Sequence, residues 1–91
     1  MAVDISRAMA QRTLVLDGAM GTMIQKLGLT EDGFRGDMFS SWHCNLAGCN
    51  DLLNLTRPSD IAAIHRSYME AGADIIETNT FNSTSVSLGD Y

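Results

Sequence analysis

Two short runs of this sequence hold the residue types from which a small-molecule site is built. In Asp17-Gly18-Ala19-Met20-Gly21-Thr22 a carboxylate precedes small residues that let a ligand approach backbone N–H groups at a helix start. An amino-acid zwitterion suits both halves: Asp17 takes the ammonium, and the N–H groups of Ala19 and Met20 take the carboxylate. The second run, Glu77-Thr78-Asn79-Thr80-Phe81-Asn82, supplies a carboxylate, amides, hydroxyls and an aromatic ring. Plainer readings compete with both. Asp17-Gly18 is also common turn punctuation, and strand alternation also allows Glu77 to meet a structural partner while Thr78 and Thr80 only pack.

A third run, His43-Cys44-x4-Cys49, contains the usual zinc ligand types. Its spacing is poor for zinc, because a structural site pairs its cysteines more closely and adds a second pair, and only His65, on a helix face, remains. Reduced loop cysteines are the simpler reading, so no metal is expected on this chain. No phosphate loop, Ser-His-Asp order or Walker motif occurs. A nucleotide enzyme is therefore unsupported, and no catalytic residue is assigned.

The elements that must position these runs follow from periodicity. Residues 4–12 are rich in helix formers and read as a lead-in helix, with Asp4 or Ser6 as its cap. Residues 13–17 are an apolar run ending at Asp17-Gly18, the pattern of a parallel strand buried on both faces. Met20, Met23, Ile24 and Leu27 recur at helical steps, giving a short helix over 20–27 with Gly28 as its C-cap. Residues 29–55 show no sustained period and read as a long irregular loop, uncommon unless functional.

Thr56-Arg57-Pro58-Ser59-Asp60 predicts a helix over 58–71, with Thr56 as the capping hydroxyl and Pro58 in the first turn. Ile61, Ile64, His65, Tyr68 and Ala71 form one face, and Gly72 closes it. Residues 74–78 then read as a second strand, and residues 83–91 as a cap and the first turns of another helix. The order strand, helix, strand predicts an α/β fold: a right-handed β-α-β crossover whose parallel strands bring Asp17 and Glu77 to Asn82 to one rim. Two strands and one major helix would leave both sheet edges bare. The expectation is an incomplete (β/α)8 barrel, of which residues 1–91 form the opening portion.

Composition excludes other classes. The 91 residues are 45% apolar and carry a net charge of −5 without any cluster of Lys or Arg, so nucleic acid is not expected as a partner. No apolar run reaches the roughly 20 residues that span a bilayer. The N-terminus, Met1-Ala2-Val3-Asp4-Ile5-Ser6-Arg7, has an early acid and no long apolar stretch, which speaks against export. Two cysteines and six methionines suit a reduced cytoplasmic protein.

Residues 15–25 and 71–84, joined by Phe34-Arg35-Gly36 and Asn50 to Pro58, resemble the opening of the cobalamin-dependent methionine synthases, over nearly all of the chain after residue 12. The resemblance implies a homocysteine-binding (β/α)8 barrel, in which zinc binds the homocysteine sulfur as a thiolate for attack on methylcobalamin. By position, Asp17, Gly18 and Ala19 match the first-strand substrate contacts, with Met20 beside them. Asn79, Thr80 and Phe81 match the second-strand rim, and Glu77 lies next to it. The family's zinc cysteines come from later strands, and Cys44 and Cys49 match none of them. The resemblance thus implies that this piece alone is inactive, with methylcobalamin and methyltetrahydrofolate reached through downstream modules. Related enzymes that use betaine or S-methylmethionine share the Asp-Gly turn; the long first loop favours the cobalamin type. Two alternatives remain: a small non-enzymatic metal or interaction module on the His43 to Cys49 segment, and an unrelated α/β barrel opening whose strand ends are alike through architecture alone.

Overall fold

The computed structural model describes residues 4–91. In chain order its elements are α1 (Ile5–Gln11), α2 (Met20–Lys26), α3 (Glu31–Arg35), a 3-10 turn (Asn50–Leu52), α4 (Leu53–Thr56), α5 (Pro58–Glu70) and α6 (Ser85–Leu88). The Met1 to Val3 part of the export reading lies outside the described residues. No helix among those residues is long and apolar enough to cross a membrane.

Instead of the two strands expected at 13–17 and 74–78, the described residues form one isolated parallel bridge, Leu16 to Ile75. The Val15 carbonyl accepts from the N–H groups of Asp74 (2.9 Å) and Ile75 (3.1 Å), and Asp17 N–H donates to the Ile75 carbonyl (3.1 Å). The pairing stops there because Gly18, at φ +148°, turns the chain out of the extended region. Burial on both faces is not seen either. Val15 and Leu16 are 51% and 57% exposed, since the helices pack on one another and leave the bridge outside their core.

That core joins Ile24 of α2, Phe34 of α3, Leu46, Leu53 of α4, and Ile61 and Ile64 of α5, with Met20, Met23 and Tyr68 packed against it. Half of its six residues come from 29–55. There short helical segments at 31–35 and 50–56 flank a turn-rich connection over 36–49, so the irregular loop expected over 29–55 is confined to that middle stretch. Sequence periodicity misses the helices of this layer because α3 and α4 are only 5 and 4 residues long. Polar contacts hold it. Thr30 caps α3 by accepting from Gly33 N–H. The Glu31 carboxylate accepts from Arg35 Nε (2.8 Å), Leu46 N–H (2.8 Å) and Ala47 N–H (2.9 Å). Arg35 in turn donates to the carbonyls of Trp42 (2.9 Å) and Cys44 (2.8 Å). The Leu46 N–H, followed by those of Ala47 and Arg35, holds the Glu31 carboxyl below its ordinary pKa, against the opposing effect of desolvation.

Gly36 ends α3 at φ +57°, and a Cβ there would lie 3.2 Å from Thr56 Cβ, so the Phe34-Arg35-Gly36 turn needs its glycine twice over. Helix α5 starts with Pro58 at its first position, but its N-cap is Arg57, without a side-chain bond. Thr56, the expected cap, closes the last turn of α4 and points its hydroxyl back to the Leu52 carbonyl (3.5 Å). Asp4 caps α1 through Arg7 N–H, and Thr84 caps α6 through Ser87 N–H.

The bridge register is fixed from outside by Asp74. One carboxylate oxygen accepts from Val15 N–H (2.9 Å) and Arg12 Nη1 (3.0 Å), the other from Arg12 Nη2 (2.6 Å). The Arg12 hydrogen bonds, followed by that from Val15, lower the Asp74 carboxyl from 3.8 to about 2. A depressed carboxyl stabilises the folded chain fully above its unfolded value, so this contribution is complete above about pH 4 and is lost as the pH falls through about 2. In a carbon-13 titration Asp74 is expected to titrate near 2, and Arg12→Ala should return it toward 3.8. An Asp74 that titrates normally in the unaltered protein would break this account of the register.

Candidate functional site

Beyond the bridge, both chain segments open onto one concavity of about 410 Å³, lined by residues 16–21 on one side and 77–81 on the other. All eight candidate site residues, Asp17, Gly18, Ala19, Met20, Glu77, Asn79, Thr80 and Phe81, lie on this lining. Parallel pairing is what brings them together, because it sends both segments out of the bridge in the same direction.

On the first wall, one oxygen of the Asp17 carboxylate accepts from Gly18 N–H (2.8 Å), and the other has no partner among the described residues. Gly18 follows at φ +148°, and a Cβ built on it would approach the Glu77 backbone nitrogen to 3.5 Å. The space is adequate, so the backbone conformation is the constraint that favours glycine. The Ala19 carbonyl accepts from the Tyr68 hydroxyl (3.1 Å), which ties this wall to α5.

On the second wall, Glu77 is exposed, and the hydroxyls of Thr78 and Thr80 hydrogen-bond to each other at 2.7 Å. Phe81 is 95% exposed. Asn79 differs from its neighbours: it is buried at 6% exposure, and its amide donates to the Asn50 carbonyl (2.7 Å) and to Asn54 Oδ1 (3.3 Å). Asn54 Nδ2 returns a bond to the Asn79 carbonyl at 2.7 Å. Asp51 accepts from Asn82 N–H (2.9 Å) and from the Ser83 hydroxyl (2.7 Å). Asn50, Asp51 and Asn54 were not among the sequence candidates. The signal was their spacing, which puts three polar groups on about one helical turn between leucines.

The His43 to Cys49 segment builds nothing comparable. Among the described residues no group of three or more His, Cys, Asp or Glu side chains comes together to hold a metal ion. His43 stacks at a tilt on Trp42, centroids 5.0 Å apart. Cys49 is a buried free thiol whose pKa desolvation raises, the reverse of a ligand prepared as thiolate. The zinc ion that the family resemblance implies therefore does not fit these residues.

Compared with known protein families, residues 14–91 match the model of the homocysteine S-methyltransferase family. The match takes in both walls of the concavity and the whole helical layer between them.

Asn79→Ala removes both side-chain N–H donors from beneath the second wall and leaves the Asn50 carbonyl and Asn54 Oδ1 without their Asn79 partner, while Asn54 Nδ2 keeps its bond to the main-chain carbonyl of residue 79. It is expected to destabilise the protein by about 1–3 kcal/mol in denaturant unfolding, the cost of buried polar groups left unpaired. A change indistinguishable from zero would mean that this amide pair does not hold the rim.

Proposed function

The chain belongs to the homocysteine S-methyltransferase family, and on that premise we propose that the concavity between residues 16–21 and 77–81 is where the enzyme grips homocysteine. The observation that carries this reading is the lining itself: a carboxylate with a free oxygen at Asp17 faces a wall of hydroxyls and a carboxylate across one opening. Homocysteine at neutral pH carries an ammonium, a carboxylate and a thiol. Asp17 takes the ammonium, the backbone at Ala19 and Met20 takes the carboxylate, and the thiol end lies along Thr78, Thr80 and Phe81. Glu77 borders the ammonium side. The Asn79 amide supports this wall from beneath.

In the reaction a sulfur–methyl bond forms, the donor–methyl bond breaks, and the thiol loses its proton. A free thiol is mostly protonated near neutrality, and a zinc ion bound to the sulfur would supply the thiolate. The residues described here bind and orient; we place the zinc ligands, and the modules that bring the methyl donor, outside these 91 residues. We take the segment to be the opening β-α-β unit of a (β/α)8 barrel. The cobalamin-dependent type is favoured over betaine and S-methylmethionine enzymes by the long 29–55 layer. Free thiols at Cys44 and Cys49 suit a reducing compartment such as the cytoplasm.

The test is calorimetry with L-homocysteine on the intact enzyme and its Asp17→Asn variant. Loss of one hydrogen bond to a charged group, about 1.5–3 kcal/mol, corresponds to a fall in affinity of roughly 10- to 100-fold. Unchanged affinity would remove Asp17 from the site. Offering methylcobalamin, betaine and S-methylmethionine in turn as methyl donors distinguishes the three types.

A further inference from the structure

We propose that Asp51 is a positioning residue for the substrate rim, fixing the backbone of residues 79–83 so that Thr80 and Phe81 face the homocysteine cavity; this rests on the functional reading above. Rim residues 79–83 are held at both ends by one short stretch of helix. At the near end the Asn50 carbonyl takes the Asn79 amide at 2.7 Å, and Asn54 Nδ2 donates to the Asn79 carbonyl at 2.7 Å. At the far end a single Asp51 oxygen receives Asn82 N–H at 2.9 Å and the Ser83 hydroxyl at 2.7 Å. Between these anchors, Thr80 makes its side-chain bond within the rim itself, to Thr78, and Phe81 is 95% exposed. The span between the anchors is two residues long, turned by one backbone bond from Ser83 N–H to the Thr80 carbonyl (3.2 Å), and both residues line the cavity.

The two anchors differ in kind. Asn79 is buried, and its loss is a packing and polar-pairing defect. Asp51 is only half-buried and lies outside the apolar core, and among the described residues its side-chain bonds all go to the rim. A second cavity of about 360 Å³ adjoins the rim, lined in part by Asp51, Asn79, Phe81 and Asn82. That open space gives the rim somewhere to move once the far anchor is gone. Asp51 therefore sets where the rim sits, while the helical layer sets whether the chain folds.

The experiment measures L-homocysteine affinity of the intact enzyme by calorimetry, together with amide hydrogen exchange at Asn82, for the unaltered protein and for Asp51→Ala, Asp51→Asn, Ser83→Ala and Thr30→Ala. Asp51→Ala should bind about tenfold more weakly, with faster exchange at Asn82 and an unchanged melting temperature. Asp51→Asn should recover most of the affinity, because its amide oxygen can accept from the same N–H and hydroxyl. Ser83→Ala should fall between. Thr30→Ala, which removes a comparable anchor from α3, should leave affinity alone. Unaltered affinity in Asp51→Ala, or equal losses in Asp51→Ala and Thr30→Ala, would overturn the positioning role while leaving the functional reading intact. An unaltered enzyme that binds no homocysteine would overturn both.

Discussion

The parallel register of Leu16 against Ile75 is the constraint on which the rest of the site depends. Three backbone hydrogen bonds define it, and each is set by position along the chain. Because side chains alternate along extended backbone, a slip by one residue would turn Asp17 away from the concavity and bring Gly18 to its place. Pairing this short has little strength of its own, so the register needs help from outside the bridge. Asp74 provides it, with one oxygen shared between Val15 N–H and the Arg12 guanidinium.

A second dependence runs through the helical layer. The segment between α2 and α5 reaches its place through charged side chains that gather distant backbone groups: Glu31 collects Leu46 and Ala47, and Arg35 collects Trp42 and Cys44. Leu46, brought in this way, is 3% exposed and sits in the core beside the fully buried Leu53. Immediately after this closure the chain makes the 3-10 turn from Asn50, whose polar groups meet the rim. Polar contacts around Glu31 and Arg35 thus order the layer, and the turn of helix that follows carries the groups that meet the wall of the concavity.

Some of this was legible in the sequence and some was not, for physical reasons. Helix α5 could be read because its start and its buried face are local: Pro58 at the first position, then Ile61 and Ile64 three residues apart. The convergence of the two runs on one concavity could be read because residues at the ends of parallel segments meet wherever those segments pair, so Asp17 and the residues from 77 to 81 had one place to go. Residues 29–55 could not be read. Their order comes from contacts across 15 and 16 residues, such as Glu31 to Leu46 and Ala47, which no local period encodes. The extended runs were expected to be longer and more deeply buried, but Gly18 ends the pairing after Asp17. Thr56 was expected to cap α5 by residue type alone, yet the chain before Pro58 leaves that place to Arg57.

The most direct measurement is a crystal structure of the intact enzyme with L-homocysteine bound. The amino acid is expected between the two walls, its ammonium within hydrogen-bonding distance of Asp17 and its sulfur end along residues 77–81. Homocysteine found elsewhere, or segments 14–17 and 74–78 pairing antiparallel or in a shifted register, would contradict that arrangement.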